Sequence, residues 1–123
     1  MIHTMNWYGG WAMLLTSFAV GAIVGLSFWR ENFMGGYGSW RRRMVRLGHI
    51  ALAALGILNM VYGLAGVPVT GTWQAQGAGM GLLIGGVAMP TVCFLAAWRM
   101  DWRHGFVIPV CALVGAAVCV LMG

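Results

Sequence analysis

Four apolar runs, at about 7–29, 44–66, 75–98 and 105–122, occupy most of this 123-residue chain and leave it almost no way to fold in water. Each is near the roughly 17–25 residues an α-helix needs to cross a bilayer. Inside hydrocarbon a backbone N–H or C=O has no water to bond, so such a run must close its own hydrogen bonds as a helix. The alternation of apolar and polar residues that a membrane β-barrel requires is absent. Composition agrees: 61% of the residues are apolar and 7% charged, against roughly 25% charged in soluble domains. That is too little polar side chain to coat a water-facing surface. The expected fold is an all-α membrane protein with one domain over 1–123 and four transmembrane helices in an up-and-down bundle.

Charge sets the expected orientation. The chain carries seven Arg and two acids, net +5. In a soluble protein this balance would point to nucleic acid. Here every Arg falls at the first connection (Arg30, Arg41, Arg42, Arg43, Arg46) or the third (Arg99, Arg103), between apolar runs. No nucleic-acid partner is expected, because orientation by the positive-inside rule explains the pattern. Both basic connections then face the cytoplasm. The termini and the uncharged second connection, a short turn over 67–74 with Pro68, Gly71 and Thr72, face outward. The expected location is a multi-pass position in a bacterial inner (cytoplasmic) membrane. Residues 1–6 lack the basic start of a signal peptide, so the first run reads as a retained helix. Trp7, Trp11 and Trp73 near one boundary, and Trp29, Trp40, Trp98 and Trp102 near the other, suit interfacial belts.

Glycine is the second constraint. Twenty are present, many inside the helical runs. Gly21 and Gly25 form a G-x-x-x-G, Gly77, Gly81 and Gly85 a longer ridge on helix 3, and Gly56 and Gly63 thin one side of helix 2. Small residues four apart let helix backbones approach closely. The faces serve intrachain packing, or contacts with other membrane subunits or a second copy.

Residues able to carry chemistry are few. Glu31 and Asp101 lie at the basic edge and no carboxylate lies mid-membrane, which weakens proton-coupled transport. The small multidrug transporters depend on a glutamate in helix 1, and this helix 1 has no acid. No nucleophile–base or metal-ligand motif is present, so no catalytic activity is expected. Cys93, Cys111 and Cys119 show no C-x-x-C spacing and read as packing residues, as do the scattered methionines. His49 lies about one turn inside helix 2, above a face that continues through Ala53, Gly56, Met60 and Gly63. A histidine over a glycine-lined face is what haem b needs, with His104 as the opposing ligand. His49 equally suits a hydrogen bond to a headgroup, a loop carbonyl or another helix. Asn59, near the bilayer centre, needs a partner; Thr16, Ser17 and Thr91 are candidates. Pro90 and Pro109 are expected to kink helices 3 and 4. Arg41, Arg42, Arg43 and Arg46 suit docking to anionic lipid headgroups or an acidic partner.

Each basic connection follows a similar stretch, Trp29-Arg30-Glu31-Asn32-Phe33 and Trp98-Arg99-Met100-Asp101-Trp102, which would suit two parallel helical hairpins. The function expected is a small accessory or scaffold subunit of a larger membrane complex, with an electron-transfer complex the suggested setting. The alternative is a homo-oligomeric channel or small transporter, with Asn59 and the helix 3 glycine ridge near a shared axis.

Overall fold

The structure, a computed structural model, describes residues 1–65 and 72–123. Four α-helices account for most of them: α1 (Ile2–Ser27), α2 (Trp40–Ala65), α3 (Thr72–Trp98) and α4 (Val107–Met122). Three-residue-per-turn segments at Phe33–Gly35 and Met100–Phe106 lie between α1 and α2 and between α3 and α4. The described residues contain no strand. All four helical segments, with Met100–Phe106 added to the last, are long and apolar enough to cross a membrane. The expected second connection lies outside the described residues over 66–71.

Two helices begin earlier than their apolar runs. α1 starts at Ile2, not near 7, because its early polar residues turn inward. Asn6 is fully buried, and the His3 ring donates from Nδ1 to the Tyr62 carbonyl at 3.2 Å and stacks on the Tyr62 ring. α2 starts at Trp40, not near 44, because Ser39 caps it. The Ser39 hydroxyl accepts the Arg42 N–H at 3.2 Å, and its carbonyl accepts the Arg43 N–H at 3.1 Å. The preceding turn needs glycine. Gly36 sits at φ 98°, ψ 168°, a region closed to residues with a Cβ, and follows Gly35 at φ 85°. Pro109 falls in the first turn of α4, where no intrahelical N–H bond is lost, so the expected kink has no cause there. Pro90 lies inside α3, which continues through it.

Side-chain contacts fix an antiparallel order. Asn6 meets Asn59 and Ser17 meets His49 across α1 and α2. Tyr62 Oη donates to the Ala75 carbonyl at 2.7 Å, and Trp40 Nε1 to the Ala96 carbonyl at 2.7 Å, across α2 and α3. All arginines therefore share one end of the molecule. α3 is central: α1 and α2 cover one side and α4 the other.

The helices touch almost backbone to backbone. A Cβ on Gly10 would lie 2.6 Å from the Gly56 carbonyl oxygen, and one on Gly63 2.8 Å from the Trp7 nitrogen. The Gly77–Gly81–Gly85 ridge receives Cys119, Ala116 and Leu113 of α4. On the opposite side of α3, Gly79 receives Ile2 and Asn6, and Gly86 receives Met13. In lipid there is little hydrophobic drive between helices, so this close dispersion contact supplies much of the association. Gly10→Ala should lower stability by about 1–3 kcal/mol. Gly25→Ala, where a new methyl meets nothing within 4 Å, should be neutral or slightly stabilising through helix propensity. Thermal unfolding of both variants in one detergent checks the contrast.

Candidate functional site

The polar centre is built by two amides from different helices. Asn6 of α1 and Asn59 of α2 are both 0% exposed. Asn6 Nδ2 donates to Asn59 Oδ1 at 2.7 Å and to the Gly79 carbonyl of α3 at 3.0 Å. Asn59 Nδ2 donates to its own-helix Leu55 carbonyl at 2.8 Å and to the Leu82 carbonyl of α3 at 3.1 Å, with Met13 Sδ at 3.9 Å. Each amide thus ties all three helices, and each can do so only because Gly79 and Gly86 let it near α3. Asn6 Oδ1 lies over Gly79 without a hydrogen-bond donor.

The partner of Asn59 is therefore not among the residues expected. Thr16 and Thr91 bond their own helices, to the Ala12 and Val87 carbonyls at 2.8 and 2.6 Å. Ser17 bonds His49. The arrangement that uses both of its contacts has the Ser17 hydroxyl donating to the His49 carbonyl at 3.3 Å and His49 Nδ1–H donating to Ser17 Oγ at 3.2 Å. In that arrangement the imidazole is a donor and cannot take the serine proton, so the pair is not an activated nucleophile. Ser17 is buried and neither residue lines any of the cavities described below.

The haem geometry does not fit. The α2 face below His49 is filled by α1: Gly56 lies against Gly10, Met13 and Leu14, and Gly63 against His3 and Trp7. Gly21 accommodates the His49 ring itself, since a Cβ there would stand 2.8 Å from Cε1. His104 is exposed on the Met100–Phe106 segment, which packs on α3 and α4, while His49 faces α1. Asn59 and the α3 ridge, expected near a shared axis in a channel, are likewise occupied by contacts within the chain. Asn59 is enclosed by α1 and α3, and Gly77, Gly81 and Gly85 are covered by α4. Among the described residues no cluster of three or more His, Cys, Asp or Glu could hold a metal ion.

The arginines divide. Arg42 is 2% exposed and is not a docking residue. Its Nε donates to the Phe33 carbonyl at 2.6 Å and its Nη2 to the Arg30 carbonyl, while its guanidinium lies 4.8 Å from the Phe28 ring centre. It holds the α1–α2 connection together, closing carbonyls just beyond the end of α1. Arg46 turns back likewise, donating to the Tyr37 carbonyl at 3.3 Å with its charge 4.6 Å over the Tyr37 ring. Arg41 and Arg43 are exposed and make none of these contacts. Consecutive helical residues point about 100° apart, as 3.6 residues per turn require. One of three adjacent arginines therefore faces the fold and its neighbours face out.

Three openings surround this core. One, about 500 Å³, is an almost purely apolar groove between α2 and α4 floored by Leu82 of α3. A second, about 440 Å³, lies between α1 and α3 beside Gly9, Gly86 and Pro90. The third is a pair of adjoining cavities at the arginine end around Arg41 and Trp98. Comparison with protein-family models, curated proteins and solved structures finds no match for the chain.

Asn6→Ala and Asn59→Ala should each cost about 1–2 kcal/mol. The double variant should cost less than their sum by about 0.5–1 kcal/mol, since each single change strands the other amide. Unfolding by SDS titration from a mild detergent measures the cycle; strict additivity would mean the two amides act separately.

Proposed function

We propose that this protein is a small, non-catalytic subunit of a larger membrane assembly, and that it receives a partner's transmembrane helix in the groove between α2 and α4. The groove carries the reading. Leu55, Leu58 and Val61 of α2 face Leu113, Ala117 and Val120 of α4 across it. α4 packs along α3 and leaves α1 and α2 to each other, so the bundle is open on this side. A further helix laid there would contact both walls, with Ala65 and Ala117 allowing close approach. The glycines at 10, 56, 63, 77, 81 and 85 are already covered within the chain, and this groove leaves an apolar surface on which lateral packing can still be added. The two central amides are fully buried and bonded to the chain's own helices, which favours a scaffold over a channel.

In this reading the arginine end faces the cytoplasm. Five exposed arginines (Arg30, Arg41, Arg43, Arg99 and Arg103) share it with exposed Glu31 and Asp101, a balance that favours retention on the cytoplasmic side. Both termini then lie on the opposite side.

Ala117→Trp should fill the groove. The variant is expected to keep the thermal stability of the isolated chain, because Ala117 is exposed, and to lose the membrane subunit that co-purifies in mild detergent with the unaltered protein. Retention of that subunit by Ala117→Trp would overturn the groove assignment. For orientation, a single thiol introduced as Gly38→Cys in a cysteine-free background should react with a membrane-impermeant reagent in inverted vesicles and not in intact cells.

A further inference from the structure

We infer that the cleft between the start of α2 and the end of α3 binds one anionic phospholipid, its phosphate on Arg41 and one acyl chain along Val45 and Phe94. Two adjoining cavities of about 400 and 410 Å³ form the cleft and share Met34, Arg41, Ala97 and Trp98. Each lies within the range typical of small-molecule sites, roughly 300–1,000 Å³. The first reaches the loop side, at Gly35, Ser39 and Met100. The second descends between the helices to Val45 and Phe94.

The lining changes character with depth. Val45 is one helical turn beyond Arg41, and Phe94 one turn before Trp98, so each pair shares a helix face. A cation and an indole therefore stand at the mouth, with an aliphatic and an aromatic side chain one turn deeper toward the membrane-spanning part. This polarity order is that of a phospholipid entered from its own leaflet. An acidic peptide would use the mouth and leave the deeper slot empty.

The walls are held in place before any ligand arrives. Trp40 Nε1 bonds the Ala96 carbonyl at 2.7 Å, which ties the first turn of α2 to the last turn of α3. Arg42 and Ser39 fix the connection that carries Met34, the latter by donating its hydroxyl to the Met34 carbonyl at 2.7 Å. Arg41, by contrast, is exposed and takes part in none of the hydrogen bonds or ring contacts of its neighbours. Its charge is available, and the exposed arginines around it raise the local concentration of anionic headgroups. The inference rests on the membrane reading but not on the partner helix.

The test uses the full chain purified alone in mild detergent, with native mass spectrometry reading bound phosphatidylglycerol and phosphatidylcholine. The unaltered protein should retain phosphatidylglycerol over phosphatidylcholine. Arg41→Gln should lower that occupancy roughly fivefold, as loss of about 1 kcal/mol implies. Arg43→Gln, equal in charge change but outside the cleft, should leave it unchanged. Added inorganic phosphate should not displace the lipid, because it cannot fill the apolar slot. Equal losses in the two variants would reduce the effect to diffuse charge and overturn the site. Displacement by phosphate, or by an acidic peptide, would overturn the lipid assignment. Unchanged unfolding of Arg41→Gln confirms that the loss is one of binding. Failure of the Ala117→Trp experiment would leave these outcomes untouched.

Discussion

Everything in this molecule depends on helix backbones coming close enough for one carboxamide to reach two neighbours. In hydrocarbon an unpaired amide is costly, and water is not there to relieve it. Asn6 and Asn59 solve this jointly: one supplies the other's donor, and their remaining N–H groups end on carbonyls of α3 and α2. Those carbonyls belong to helices, so the amide N–H groups share acceptors with the backbone, while Asn6 Oδ1 is left buried without a donor. The condition is a short interhelical distance, which the glycines at 10, 56, 79 and 86 supply. Polar specificity and glycine packing are therefore one device, since the amides could not meet if the backbones were held apart.

This coupling explains why α3 has so many small residues. It is wedged between the α1–α2 pair and α4, and must present a thin surface to both. Gly79 and Gly86 face one side, Gly77, Gly81 and Gly85 the other, with Ala78, Cys93 and Ala96 fully buried between them. α4 needs less. It rests on α3 and exposes residues such as Val107, Val114 and Leu121. The result is a tight three-helix group with a fourth helix attached along one side, and the open groove follows from that asymmetry.

Much of the architecture was legible in the sequence. The four long apolar helices and their clustering of arginine at two connections follow from hydropathy, because lipid forces helix wherever the chain stays apolar. Helix starts were not legible by that rule. Ser39 caps α2 within the basic stretch, and Asn6 extends α1 by facing inward, whereas hydropathy reads both stretches as outside. The partner of Asn59 had a usable signal. In an antiparallel hairpin, residues equally far from the connection's middle meet, and Asn6 lies about as far before the first connection as Asn59 lies after it. His49 misled for a related reason. A glycine face beneath a histidine suits a flat cofactor or another backbone equally well, and only the facing helix decides which. Here Gly10 completes the face, and Gly21 receives the ring.

The arginine end shows the same ambiguity resolved by helical phase. As text, Arg41-Arg42-Arg43 is a single basic cluster. Once Ser39 starts the helix, the three diverge, and Arg42 is drawn inward to become a second donor to the Phe33 and Arg30 carbonyls, which already accept the Gly36 and Phe33 N–H groups. Burying that guanidinium is tolerable because backbone carbonyls and two aromatic faces surround it. Arg41 is left exposed beside Trp98, outside the hydrogen bonds and ring contacts that its neighbours make among the described residues. A buried arginine that ties the connection and an exposed one that lines the cleft are thus adjacent residues on the same helical turn. The amide N–H groups of the interior are spent within the chain, so the surfaces left for the proposed contacts lie at the periphery: the apolar groove between α2 and α4, and the cleft around Arg41.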